Sequence, residues 1–213
     1  RHRAHLTDYA DLLAACLDLY EATFDPDWVR ETRTLAEQML DLFSDPDRGG
    51  LLFTARDHEP LIARTRESND GATPAGVSVA ALALPRLAAL TGEDSFRKKA
   101  EEVIRLYRDK IERFPSAFGA MLCALDQHLD RRREVVLAGR RDDPALRPFV
   151  ARLGGIYDPN TLVALADPDR PGAAQAVPLL AGKDPVEGRP AAYVCVDGTC
   201  SPPCEGGDTD WTC

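Results

Sequence analysis

Two groups of polar residues carry the types and spacing that acid–base chemistry would need. His5, Asp8 and Tyr9 share one face of a helix, because positions three and four apart are neighbours on its surface. Such a face could present an imidazole, a carboxylate and a phenol to a cavity, where proton transfer to and from a sugar or polyol is feasible. The plainer alternative, which the spacing favours, has Asp8 supporting the helix N-terminus and Tyr9 in the core. The second group is Arg64, Arg66, Glu67, Asn69, Asp70 and Ser78, on a long loop that leads into an apolar helix. Ionisable groups held at a buried helix N-terminus can bind a ligand. Capping of that helix by Asp70 or Thr73 stands beside this at even weight, leaning to the cap for Asp70.

Sulfur is the third candidate chemistry. Of the six cysteines, Cys16 and Cys123 stand alone in helical text, whereas Cys195, Cys200, Cys204 and Cys213 crowd the end of the chain. Four thiolates could close a tetrahedral zinc site, but such sites usually pair ligands two to four residues apart in two separate knuckles. Free thiols are the leading expectation, a redox or opportunistic disulfide comes second and zinc third. No metal and no cofactor is expected. The chain has no G-x-G-x-x-G, no G-x-x-x-x-G-K-[ST] and no H-E-x-x-H, which removes the familiar nucleotide-binding and zincin motifs. Gly76-Val77-Ser78-Val79-Ala80 approaches a nucleophile elbow, but it lacks the last glycine and has no strand before it.

Composition narrows the partners. The 213 residues are 44% hydrophobic, enough for a substantial core, and carry 35 acidic against 26 basic side chains for a formal charge of −9. A nucleic acid or an anionic membrane surface is thus disfavoured as a partner. The longest apolar region, 77–90, is interrupted by Ser78, Pro85 and Arg86, so no membrane span is expected. The chain opens on Arg1 with no apolar leader and reads as a piece of a longer cytoplasmic protein with reduced cysteines.

The elements that must position these groups are mostly helical. Tyr9, Leu12, Leu13, Cys16, Leu17 and Tyr20 recur at helical spacing over 5–23, and a second helix over 27–43 starts with Asp25 as N-cap and Pro26 at its first position. Turn formers over 44–50 precede a short strand at 51–54. A small-residue helix over 75–90, with Pro85 bending it, is followed by an amphipathic one over 95–114. Laying Trp28 on Phe96 gives an internal repeat of 68 residues. After a helix over 116–129, Arg131-Arg132-Arg133 reads as a solvated helix end that suits the helix dipole. The texture then changes to strands at 134–139, 161–165 and 191–195 around a short helix at 144–153, and the tail from 201 reads as loose.

Five motifs in order, His5-Leu6-Thr7-Asp8-Tyr9-Ala10, Leu19-Tyr20-Glu21-Ala22-Thr23-Phe24-Asp25, Gly49-Gly50-Leu51-Leu52-Phe53-Thr54, Glu67-Ser68-Asn69-Asp70-Gly71-Ala72-Thr73-Pro74, and Arg189-Pro190-Ala191-Ala192-Tyr193-Val194-Cys195 with Cys200, resemble the C-terminal portion of the YyaL-type proteins. That family includes the spermatogenesis-associated, thioredoxin-domain-containing proteins. The resemblance implies an N-terminal thioredoxin-like domain outside this chain and an (α/α)6 toroid related to N-acylglucosamine 2-epimerases. The expected fold is therefore mainly α: αα-hairpins of an incomplete toroid over 1–130, a small α/β segment over 131–200 and a Cys/Gly/Pro tail over 201–213. Ala75 and Val77 stand where the family usually shows Ser and Asn. Two functions follow. One is a carbohydrate-binding or carbohydrate-active cavity with Asp8, Tyr9, Glu67 and Asp70 as catalytic groups, His5, Arg64, Asn69 and Ser78 against the sugar or polyol, and Cys195 and Cys200 as a redox pair. The other is a non-catalytic scaffold that binds a protein client beside a redox domain. A sugar site needs carboxylates converging with aromatic partners in one pocket, whereas a scaffold uses the same carboxylates in caps and ion pairs.

Overall fold

The computed structural model describes residues 3–59, 62–67, 69–130, 132–196 and 198–205. Two helical hairpins come first, α1 (Leu6–Thr23) with α2 (Pro26–Phe43) and α3 (Gly76–Thr91) with α4 (Asp94–Arg113), followed by α5 (Gly119–Leu129). Helix α3 packs against α1 on one side and α5 on the other, with α2 and α4 each closing its own hairpin. A helix enclosed in this way must be apolar around its circumference. Accordingly Val77, Ala80, Ala81, Leu84, Leu87 and Leu90 of α3 are all buried. The other three helices of the hairpins are built instead as stripes where they meet solvent: in α4, Phe96, Ala100, Val103, Tyr107 and Ile111 face inward at helical spacing while charged residues cover the rest.

The 68-residue repeat extends to the hydrogen bonds of the two hinges. Thr23 Oγ1 donates to the carbonyl of Leu19 at 2.6 Å and accepts from Asp25 N at 3.4 Å. At the matching positions Thr91 Oγ1 donates to Leu87 O at 2.8 Å and accepts from Glu93 N at 3.3 Å. Both hinges turn on a residue in the left-handed region, Phe24 at φ 51° and Gly92 at φ 71°. The aromatic pair that suggested the repeat is unequal, since Phe96 is only 2% exposed while Trp28 is half-buried, its place in the core being taken by Val29 beside it.

The rest of the chain forms a mixed sheet from β1 (Arg133–Ala138), β2 (Thr161–Ala166), β3 (Ala191–Val196), β4 (Thr199–Cys200) and β5 (Cys204–Glu205), in the order β2-β1-β3-β4 with β5 also on β3. Strand β1 is parallel to β2 and antiparallel to β3. Both faces of the sheet are covered, which is why its strands read as continuous apolar runs. Val136, Leu162 and Ala164 join the core of the helices. Val135, Leu137, Leu165, Ala192 and Val194 point the other way, onto Phe149 of α6 (Arg147–Gly154).

Three expectations require correction. Residues 51–54 make no strand: a single antiparallel bridge joins Ser44 to Leu51, because the segment is held crosswise by Leu52 N on Phe43 O and Phe53 N on Thr65 O. The arginines after α5 are not a solvated helix end, since Arg132 reaches inward to the carbonyl of Pro85 and Arg133 opens β1 and donates to Asp158 at 3.3 Å. Arg131 lies outside the described residues. The expected loose tail is paired to the sheet as far as Glu205, and its remainder, 206–213, lies outside the described residues. Among the described residues no helix is long and apolar enough to cross a membrane.

Removing a buried large aromatic costs about 3–5 kcal/mol. Phe96→Ala should therefore fall in that range in denaturant unfolding, and Trp28→Ala well below it. Equal losses would contradict the inequality of the two hinges.

Candidate functional site

The second polar group assembles at the end of the helical layer where α1, α3 and α5 begin. An α-helix leaves its first backbone N–H groups without intrahelical partners, and here acids from one connecting loop take them up. Glu67 accepts from Val77 N at 3.0 Å with one oxygen and from Thr7 Oγ1 at 3.1 Å with the other, joining the starts of α3 and α1. Asp70 accepts from Ala75 N at 2.9 Å through Oδ1, and from Ala120 N at 2.9 Å and Met121 N at 3.2 Å through Oδ2, joining the starts of α3 and α5. Tyr107 donates its hydroxyl to the backbone carbonyl of Glu67 at 2.6 Å. Burial first, and then the negative charges of Glu67 and Asp70, push that phenol up to about 12 against the opposing pull of Arg66.

The basic members of the group serve backbone carbonyls and a turn. Arg64 donates to Thr54 O at 3.1 Å and to Leu42 O at 3.2 Å, the latter in the last turn of α2. Arg66 pairs with Asp45 and donates to Gly49 O at 2.7 Å. Burial raises the Asp45 carboxyl, but the N–H groups of Asp47 and Arg48 and the guanidinium of Arg66 outweigh it and hold the group below its ordinary range. Glu102 is likewise raised by burial and lowered further by Lys99 and by the N–H of Gly50, with a net shift downward. Asn69 is exposed, its amide donating to Asp70 O at 2.7 Å. Ser78 is 1% exposed inside the first turn of α3.

The first group resolves to a helix start. Asp8 is exposed and accepts from His5 N at 2.7 Å, which closes a capping arrangement on α1. The His5 ring stacks on Phe53 with centroids 4.7 Å apart, and Tyr9 packs edge-on to Phe43 at 5.4 Å. Partial burial, followed by the charges of Asp8 and Glu67, raises the carboxyl of neighbouring Asp11.

A large cleft lies elsewhere, where α3 ends and α4 begins, against the end of α5 and the β3–β4 hairpin. It encloses about 810 Å³, with Ala88 and Ile104 among its apolar walls, Arg97 and Lys183 among its charges, and Cys195 and Cys200 at the sheet side. No Trp, Tyr or Phe lines it among the described residues. Of the residues expected at a site, the two cysteines alone border this cleft; His5, Asp8, Tyr9, Arg64, Glu67, Asn69, Asp70 and Ser78 do not. The expectation of free thiols at the end of the chain is corrected as well. Cys195 and Cys200 form a disulfide, and Cys204 is also disulfide-bonded. The register makes the first bond, because β3 and β4 set Cys195 directly opposite Cys200. Cys213 lies outside the described residues. Among the described residues no group of three or more His, Cys, Asp or Glu could hold a metal ion. Sequence reasoning missed Arg97 and Lys183, which carry no spacing signal, and Glu102 and Asp45, although Asp45 stands in a dense run of turn formers.

No family model matches the chain. Over 200 residues it is 30% identical to spermatogenesis-associated protein 20 of Homo sapiens and 28% identical to that of Mus musculus, in alignments covering 93% of this chain and 25% of the relative. An uncharacterized protein of Caenorhabditis elegans is 26% identical over 202 residues, covering 94% of this chain and 27% of the relative. The chain spans about a quarter of the length of these relatives, and its homology to spermatogenesis-associated protein 20 runs over nearly all of its own length.

The geometry of Asp70 sets an expectation that differs from an ordinary cap. Asn usually caps as well as Asp, but here both oxygens accept, so an amide must turn its NH₂ toward N–H groups and leave at least one buried donor unpaired. Asp70→Asn should cost about 1–3 kcal/mol in unfolding experiments, whereas a silent substitution would remove the double cap. The depressed carboxyls make a second expectation. Asp45 and Glu102 hold protons less tightly folded than unfolded, so their contribution is complete above about pH 4.3 and is lost as pH falls through their folded values. The double variant Asp45→Asn, Glu102→Gln should show a shallower acid limb in a plot of Tm against pH, and an unchanged limb would count against it.

Proposed function

From this homology we propose that the chain is a non-catalytic, client-binding module of the thioredoxin-domain-containing family, its hairpins being part of an (α/α)6 toroid. One observation carries the reading: the carboxylates Asp8, Glu67 and Asp70 are each occupied by backbone N–H groups at helix starts. A general acid or base must reach the proton it moves. Carboxylates whose oxygens are already engaged on three helix ends are positioned for rigidity instead. A sugar site would also call for the acids and aromatic faces in one pocket, and the large cleft is lined by none of these three acids and, among the described residues, by no Trp, Tyr or Phe.

The cleft is where a client would sit. Apolar walls with charges of both signs at the rim suit a short extended peptide, whose side chains can use the walls and whose ends or charged groups can meet Arg97, Lys183 and Asp94. The volume of about 810 Å³ matches a segment of a few residues rather than a folded surface.

Thermal-shift measurements across a panel of monosaccharides, oligosaccharides and sugar alcohols should leave Tm unchanged. Selection from a random-peptide display library should enrich peptides whose binding is lost in Arg97→Glu. A sugar that raises Tm in the parent and fails to do so in Glu67→Gln would overturn the reading in favour of a carbohydrate site.

A further inference from the structure

The Cys195–Cys200 disulfide differs from a structural staple in two respects. A disulfide stabilises largely by restricting the unfolded chain, and more so the longer the loop it closes. Here the two residues are 5 apart in sequence, and the β3–β4 ladder already sets Cys195 opposite Cys200 and Val196 opposite Thr199. The backbone bond from Ser201 N to Val194 O at 3.0 Å continues the same pairing. The covalent bond thus closes a turn that the hairpin closes by itself.

The second respect is the inequality of its ends. Cys195 is 1% exposed, on the face of β3 that alternation gives to Tyr193 and the helices. Cys200 is exposed, on a two-residue strand that pairs with β3 alone. Both border the cleft, in the company of Arg97, Arg132 and Lys183. Of the two residues, Cys200 is therefore the one open to a nucleophile arriving from solvent.

We propose that Cys195–Cys200 is a thiol–disulfide exchange site whose co-substrate is a protein dithiol of the C-x-x-C class. The thiolate of the dithiol attacks Cys200 Sγ. A mixed disulfide forms as the Cys195–Cys200 bond breaks, and Cys195 leaves as a thiolate and takes up a proton. The second thiol of the reductant, deprotonated, then attacks its own partner sulfur in the mixed disulfide and releases Cys200 as a thiolate, which is protonated in turn. Two electrons and two protons have passed to this chain, and the reductant departs as a disulfide. This step goes beyond the client-binding reading and stands whether or not the cleft holds a peptide.

The test uses the native chain with thioredoxin, thioredoxin reductase and NADPH, followed by alkylation and location of the labels by tandem mass spectrometry. Labels should appear on both Cys195 and Cys200 while circular dichroism shows the chain still folded. A thioredoxin lacking its resolving cysteine should be trapped as a mixed disulfide on Cys200, and the trapped species should be lost in Cys200→Ser. The proposal is overturned if the pair stays oxidised until the chain is denatured, if the adduct forms on Cys195, or if Cys204 alone reacts.

Discussion

The buried start of α3 is the constraint on which the rest of the structure depends. Ala75, Gly76, Val77 and Ser78 are all buried, so the N–H groups there have no access to bulk water, and leaving even one unpaired is expensive. The acids of the preceding loop solve this, and in doing so they fix the neighbouring helices. Glu67 cannot accept from Val77 N and Thr7 Oγ1 together unless α1 and α3 nearly touch at their starts. They do so at Gly76, where an added Cβ would lie 2.6 Å from Thr7 Cα. Asp70 makes the same demand on α5. One loop of two acids therefore sets the spacing of three helices.

The other end of the layer is tied by basic groups in a complementary way. Arg86 on α3 is raised above its ordinary value because Glu21 and Asp18, at 2.8 Å and 2.7 Å, outweigh the effect of burial, which lowers it. Glu21 is the partner that counts, since Asp18 is largely exposed and solvent screens it. Arg132 is lowered mainly by burial, yet its guanidinium reaches the Pro85 carbonyl. Pro85 cannot donate to the carbonyl one turn earlier, and the helix there is surrounded by protein. The sheet and α3 are thus joined at the turn of α3 that is least able to hold itself by its own hydrogen bonds.

Much of this was legible in sequence wherever local chemistry decides it. Asp25 with Pro26 announces the start of α2, and the strands at 133–138, 161–166 and 191–196 fall within a residue of the expected runs. The misses share one cause, which is partners distant along the chain. Asp70 looks like a cap for the helix that follows it, and nothing near it in sequence shows that Ala120 and Met121 come to its second oxygen. Leu51 to Thr54 has strand composition, but a strand needs a neighbour, and its neighbours are a helix end and a loop. Cysteine spacing leaves Cys195 and Cys200 ambiguous because only the hairpin register places them face to face.

The two copies of the repeat differ where the molecule opens. The hinge residue occupies the left-handed region in both, which disfavours any side chain with a Cβ. In the first copy it is nonetheless Phe24, whose ring lies 6.3 Å from Tyr20 and packs on the cluster around Phe149 behind the sheet. That contact offsets the backbone strain by anchoring the first hinge to the outer core. In the second copy the residue is Gly92, and a Cβ there would meet nothing within 4 Å. The space that Phe24 fills in one hairpin is left open in the next, and Gly92 lies on the wall of the large cleft. A hinge that keeps its hydrogen bonds and drops its side chain makes room without loosening the fold, so the cleft borders the hinge at which the second copy departs from the first.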